Sequence, residues 1–151
     1  WRGSFLCTRS TICPMDTINL QNTTASVKYM SNSREYDNIY SAALTSTVYS
    51  NVTSAFTAAN AQLADFDNGN PVTAAANAPD ETRAIIYWSV RTNTNAILDQ
   101  GEHANLAVAY RIEDKPSALD KIKIEVVVPT GAALTVERQV PSITTSVVDL
   151  G

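Results

Sequence analysis

The sequence has little of what catalysis or nucleic-acid binding requires. Its 151 residues include five glycines, one histidine, two cysteines and four lysines. Five glycines leave no Gly-rich loop to cradle a phosphate. The single histidine, His103, stands beside Glu102 without a Gly-x-Ser-x-Gly elbow or a cysteine partner. It reads as a capping or solvated side chain at a strand start. The adjacent carboxylates Asp80/Glu81 and Glu113/Asp114 fall in loops, where charged groups are ordinarily solvated. No catalytic residue is assigned, and the chain reads as a non-enzyme. Eleven Lys and Arg face 15 Asp and Glu, and the formal charge of −4 repels nucleic acid. No run approaches the ~18 apolar residues of a membrane span. A Cys-x-x-Cys redox motif is missing as well. Cys7 and Cys13 would lie ~20 Å apart in one extended strand at ~3.3 Å per residue. A disulfide between them therefore requires a turn at Arg9-Ser10-Thr11. Two cysteines alone make no structural zinc site.

What the chain does hold is small and polar. Seventeen Thr, 13 Ser and 12 Asn make up 42 of the 151 residues, a mix common on β-rich secreted surfaces. A hydrophobic share of 44% in recurrent Val, Ile, Leu and Tyr runs excludes disorder and suits one core over residues 1–151. Ser4–Thr8 is strand-like. Residues 25–31 alternate as a half-buried strand does, and residues 35–40 follow a Ser-Asn-Ser turn, which predicts a hairpin. From Val48 the apolar positions Val52, Ala55, Phe56, Ala59, Leu63 and Phe66 recur every three or four residues, which predicts one short helix around residues 48–66. Asp67-Asn68-Gly69-Asn70-Pro71 ends it. Residues 72–82 read as a surface loop. Beyond Arg83 the chain is β: 84–90, 104–112, 121–128, 133–140 and 143–148. Seven or eight short strands predict an all-β fold, an immunoglobulin-like antiparallel β-sandwich.

One loop carries a chemical suggestion. Asn93, Asn95, Asp99 and Glu102 place side-chain oxygens at close spacing before and after Gly101, which suits a hard cation such as Ca2+ or Mg2+. The competing reading is a polar turn whose Asx side chains bond their own backbone. Two N-glycosylation sequons, Asn22-Thr23-Thr24 and Asn51-Val52-Thr53, gain meaning only on an exported chain.

Several segments together resemble a known family. Pro14–Leu20, Ala25–Tyr29, Tyr36–Ile39 and the Leu98-Asp99-Gln100-Gly101-Glu102 loop are similar to the head domain of archaellins, the archaeal flagellins. So are Ile122–Val126, Pro129–Ala132, Leu134–Arg138 and Ile143–Leu150. The stretch 42–82 is the variable part of such a domain, and the Cys7/Cys13 pair departs from the pattern. The resemblance implies a structural, extracellular filament subunit of the archaellum, the motility organelle. Its partners would be other archaellin subunits, with no nucleic acid and no membrane contact by this domain. An N-terminal pilin-like helix would polymerise, and Trp1 without a Met reads as a domain separated from that helix. The resemblance also implies a head-domain metal, with Asp99 and Glu102 in the matching motif, and N-linked glycans at Asn22 and Asn51. The alternatives are an adhesive type IV pilin-like or surface-layer-binding subunit and, from another class, a carbohydrate-binding module. The last needs exposed aromatic platforms, whereas Trp88 lies inside an apolar strand.

Overall fold

A computed structural model describes residues 18–129 and 133–141, together with the backbone of residues 2–6. Sequence alternation sorts the strands into layers. In β9 (Lys121–Val127), Ile122, Ile124 and Val126 are buried while their neighbours face out. β3 (Ser26–Ser31) buries Val27 and Tyr29 by the same period of two. With β4 (Glu35–Tyr36) and β10 (Ala133–Gln139) they form a sheet in the order β10-β9-β3-β4, antiparallel throughout. One face of this sheet meets solvent.

The other four-stranded sheet has the order β1-β8-β6-β5, from β1 (Arg2–Leu6), β5 (Tyr40–Leu44), β6 (Arg83–Val90) and β8 (His103–Ala109). Its central strands are apolar at nearly every position because both faces are covered. Ala84, Ile86, Trp88, Ala104, Leu106 and Val108 point into the space between the sheets, packing with Val27, Tyr29, Ile122 and Ile124. Ile85, Tyr87, Ala107 and Ala109 point the other way, onto α1 (Val52–Gln62) and its flanks. The molecule thus has three layers: helix, sheet, sheet. A third, two-stranded ribbon joins β2 (Ile18–Asn19) to β7 (Ile97–Leu98).

The helix follows its sequence. Asn51 caps it, its Oδ1 accepting from Ser54 N–H at 2.8 Å. Ala55, Phe56 and Ala59 form its buried face. It stops at extended Leu63, and a 3₁₀ turn at Ala64–Phe66 brings Phe66 to 5.5 Å from the Phe56 ring.

Several expectations are corrected. The sandwich is not wholly antiparallel: β5 and β6 pair in parallel, because α1 and the loops after it carry the chain back to its starting end. The hairpin partner of β3 is only two residues long. At Asn38–Ile39 the chain leaves that sheet and enters the other. Asn38 Oδ1 accepts from Val27 and Tyr40 N–H, and Ile39 hydrogen-bonds both Val27 and Ala84. The strand expected over 104–112 ends at Ala109, and Ile112–Asp114 is a 3₁₀ turn. Ile143–Val148 lies outside the described residues, as do Cys7 and Cys13.

Candidate functional site

The loop between β6 and β8 is organised around Glu102. Its side chain is fully buried. Oε1 accepts from the Thr92 N–H at 2.7 Å and from the Thr92 hydroxyl at 3.0 Å, and Oε2 accepts from the Asp99 N–H at 3.1 Å. Burial alone would raise the Glu102 pKa. The hydrogen bonds from Thr92, Asp99 and Asn93 outweigh it and hold the carboxyl below its ordinary value. Around it, Asn93 Nδ2 donates to Asp99 Oδ2 at 2.6 Å. Asn93 Oδ1 accepts from Asn95 N–H, and Asn95 Oδ1 accepts from Ile97 N–H. Gly101, at φ +87°, supplies the turn. Arg91 fixes the near side: its guanidinium lies 4.9 Å over the Trp88 ring, and it donates to the Thr45 and Asn95 carbonyls.

The structure therefore brings Asn93, Asn95, Asp99 and Glu102 into one loop. Each asparagine Oδ1 and both Glu102 oxygens already face hydrogen-bond donors, as an Asx-built turn requires. A cation at this centre would share those oxygens with the donors they already face. Among the described residues no group of three or more His, Cys, Asp and Glu side chains is placed to hold a metal.

At the opposite end of the same sheet sits a second buried carboxylate that the sequence reading treats as solvated. Asp114 is 2% exposed. Its Oδ2 accepts from Tyr36 OH at 2.7 Å and Thr82 Oγ1 at 2.9 Å. Its Oδ1 faces Arg34 Nε at 3.3 Å and Arg111 Nη2 at 3.4 Å. Burial would raise its pKa, but the Tyr36 and Thr82 hydroxyls and the two guanidiniums lower it. Its neighbour Glu113 is exposed and pairs with Arg111 at 3.1 Å, so only half of that carboxylate pair matches the solvated reading. The five groups come from positions 34 to 114 on three separate segments. No local spacing could have announced them. Beside Asp114 opens a pocket of about 210 Å³ lined by Tyr36, Asn38, Ile39, Glu81, Thr82, Arg83 and Arg111.

His103 is partly buried at the start of β8, facing Val90 across the ladder. Both sequon asparagines are exposed. Asn22 lies in a turn, with Nδ2 donating to Ser41 O at 2.8 Å. Trp88 is wholly buried and presents no platform to a sugar.

No family model matches the sequence, and no curated protein matches it either. Structure gives a likeness. The chain is similar to the crystal structure of archaeal flagellin FlaB1 from Methanocaldococcus jannaschii, with a TM-score of 0.61 and 13% sequence identity, covering 87% of this chain and 74% of that one. At that identity the likeness is one of fold, and the fold of this chain is archaellin-like.

Proposed function

We propose that this chain is a structural subunit of an archaellum-type filament, with the sandwich forming its outer coat outside the cell. The observation that carries the reading is the archaellin-like fold, matched across 87% of the chain. The surface agrees with such a role. It is rich in Ser, Thr and Asn, poor in Lys, and backed by a three-layer core that makes the coat stiff. Partners on this reading are other subunits of the same type. No described helix is long and apolar enough to cross a membrane. Expression of the whole gene in a motile host, followed by electron microscopy, tests the proposal. Helical filaments labelled by antibody to this domain support it, and filaments of the usual number and length in a deletion strain refute it. A deletion strain that swims but no longer adheres assigns the chain to adhesion instead.

Two narrower proposals belong to this reading. The Asn93–Glu102 loop is structural, closed by its own donors. Calorimetry with Ca2+ and Mg2+ on chelator-treated protein checks this: no heat and an unchanged Tm are expected, and saturable heat overturns it. Asn51 is the better glycan acceptor. Its Oδ1 caps α1 while its Nδ2 makes only a 3.4 Å contact to Ser50 Oγ, so a glycan on nitrogen leaves the cap intact. Mass spectrometry of glycopeptides from the native protein should find Asn51 occupied. Occupancy at Asn22 alone reverses the assignment.

A further inference from the structure

We infer that Asn68 is a latent deamidation site, held unreactive while the loop from Asp67 to Asp80 stays closed. Asn68-Gly69 is the sequence's one Asn-Gly step. Asparagine is among the thermally labile residues of proteins. In deamidation the following backbone nitrogen attacks the asparagine amide carbon. A new N–Cγ bond forms, the Cγ–Nδ2 bond breaks, and the nitrogen's proton departs with the amide as ammonia. Water then opens the cyclic imide to aspartate or isoaspartate. A glycine after the asparagine favours the attack, because no Cβ obstructs the nitrogen.

The fold requires that glycine. Gly69 has φ +116°, and a Cβ there would fall 2.8 Å from Asn77 Cγ. The loop backbone therefore places the residue most permissive of cyclisation directly after Asn68.

Both reacting groups are engaged in the closed loop. The Gly69 N–H, whose proton must leave for the attack, donates to the Phe66 carbonyl at 3.2 Å. Asn68 Nδ2 donates to the Ala78 carbonyl at 3.2 Å and to Asp80 Oδ1 at 3.0 Å. Asn77, packed on Gly69, is itself tied to the Asn70 carbonyl at 3.1 Å. Asn68 is exposed, so water reaches it; what the closed loop withholds is freedom to cyclise. The reaction then follows the population of locally opened loop. Once formed, an aspartate at this position lacks both amide donors and sets its charge against the Asp80 carboxylate. Isoaspartate also lengthens the backbone ahead of Gly69. Either product keeps the loop from closing again, which makes its opening irreversible. The proposal rests on this loop alone and is independent of the filament reading.

Folded protein, urea-unfolded protein and a synthetic Phe66–Val72 peptide, incubated at mildly alkaline pH, provide the test. Peptide mapping by mass spectrometry follows aspartate and isoaspartate formation at Asn68. The folded protein should react at least about tenfold more slowly than the peptide, because the rate scales with the open fraction. Asp80→Ala, at an exposed position, removes one partner of the Asn68 amide and should raise the rate with Tm nearly unchanged. Asn77→Ala frees Gly69 and should raise it further. Asn32-Ser33, in the exposed turn before β4, is the internal control. General destabilisation speeds both sites, whereas loss of this loop's hold speeds Asn68 alone. Asn68→Asp, which is the product, should lower Tm. Adding Asp80→Asn should restore part of that loss by returning a donor to the pair. Equal rates in folded protein and peptide, wild-type rates in both Asp80→Ala and Asn77→Ala, or equal acceleration of Asn68 and Asn32 overturns the proposal.

Discussion

At the scale of single residues, the two buried carboxylates decide how the molecule responds to acid. Glu102 and Asp114 each have a folded pKa below the ordinary value, because the hydrogen bonds and guanidiniums described above outweigh burial. A depressed folded pKa contributes stability that is complete above the unfolded value and is lost as pH falls through the folded one. Stability should therefore hold at neutral pH and decline below about pH 4. Urea titrations across that range check it, and a flat profile between pH 6 and 2 contradicts it. Asp114→Asn leaves two partly solvated guanidiniums facing a neutral amide and should cost about 1.5–3 kcal/mol, the range for hydrogen bonds to a charged group. Glu102→Gln retains one acceptor but turns an NH2 group toward existing donors, costing about 1.5–3 kcal/mol. In both variants the acid limb of the profile should flatten. Leu119 offers the opposite sign. It has φ 68° and is 61% exposed at the tip of the Ser117–Asp120 turn. Asn tolerates this left-handed backbone better than Leu, so Leu119→Asn should raise stability by about 0.5–1 kcal/mol in thermal melts.

At the scale of elements, α1 holds its place through its ends and an asparagine latch rather than through charge. It has no acidic residue in its first turn and no basic residue in its last. Asn70 Nδ2 reaches back to the Thr53 carbonyl at 2.8 Å and the Thr57 hydroxyl at 2.9 Å, binding the following loop to the helix. Asn77 donates to the Asn70 carbonyl, and its amide packs so closely on Gly69 that a Cβ there would fall 2.8 Å from it. With φ +116° in addition, Gly69→Ala should be clearly destabilising. Asn51→Ala should cost about 1 kcal/mol by circular-dichroism melts, and Asn51→Asp should cost much less because it keeps the capping oxygen. Equal losses in the two variants would show that the cap is not what Asn51 contributes.

At the scale of the whole molecule, β6 and β8 are shared by both apolar layers. Ile86 faces the space between the sheets, and Ile85 faces the helix. Neither core can open without exposing the other side of the same strands, so the fold should melt as one unit. Ile85→Ala and Ile86→Ala should each lower a single transition by about 2–5 kcal/mol. Two resolved calorimetric transitions in either variant would instead make the helix layer an independent unit.

Much of this architecture was legible because it is local. The period of two in β3 and β9, the three-and-four spacing from Val52 to Phe66 and the unbroken apolar runs of β6 and β8 each report the faces an element buries. The Asn93–Glu102 loop was also visible, since its bonds join residues at most ten apart. Partner choice was not. The parallel pairing of β5 with β6 depends on where α1 lays the returning chain, and no property of Tyr40–Leu44 alone encodes it. Asp114 and Glu113 are adjacent carboxylates in one loop. One is buried and the other solvated because Tyr36, Thr82 and Arg34 arrive from distant segments. By itself the sequence determined the β-rich character, the alternation within β3 and β9 and the helix from Val52 to Gln62. Only the tertiary structure decided which carboxylate lost its water, because desolvation is set by all the segments that meet at a point.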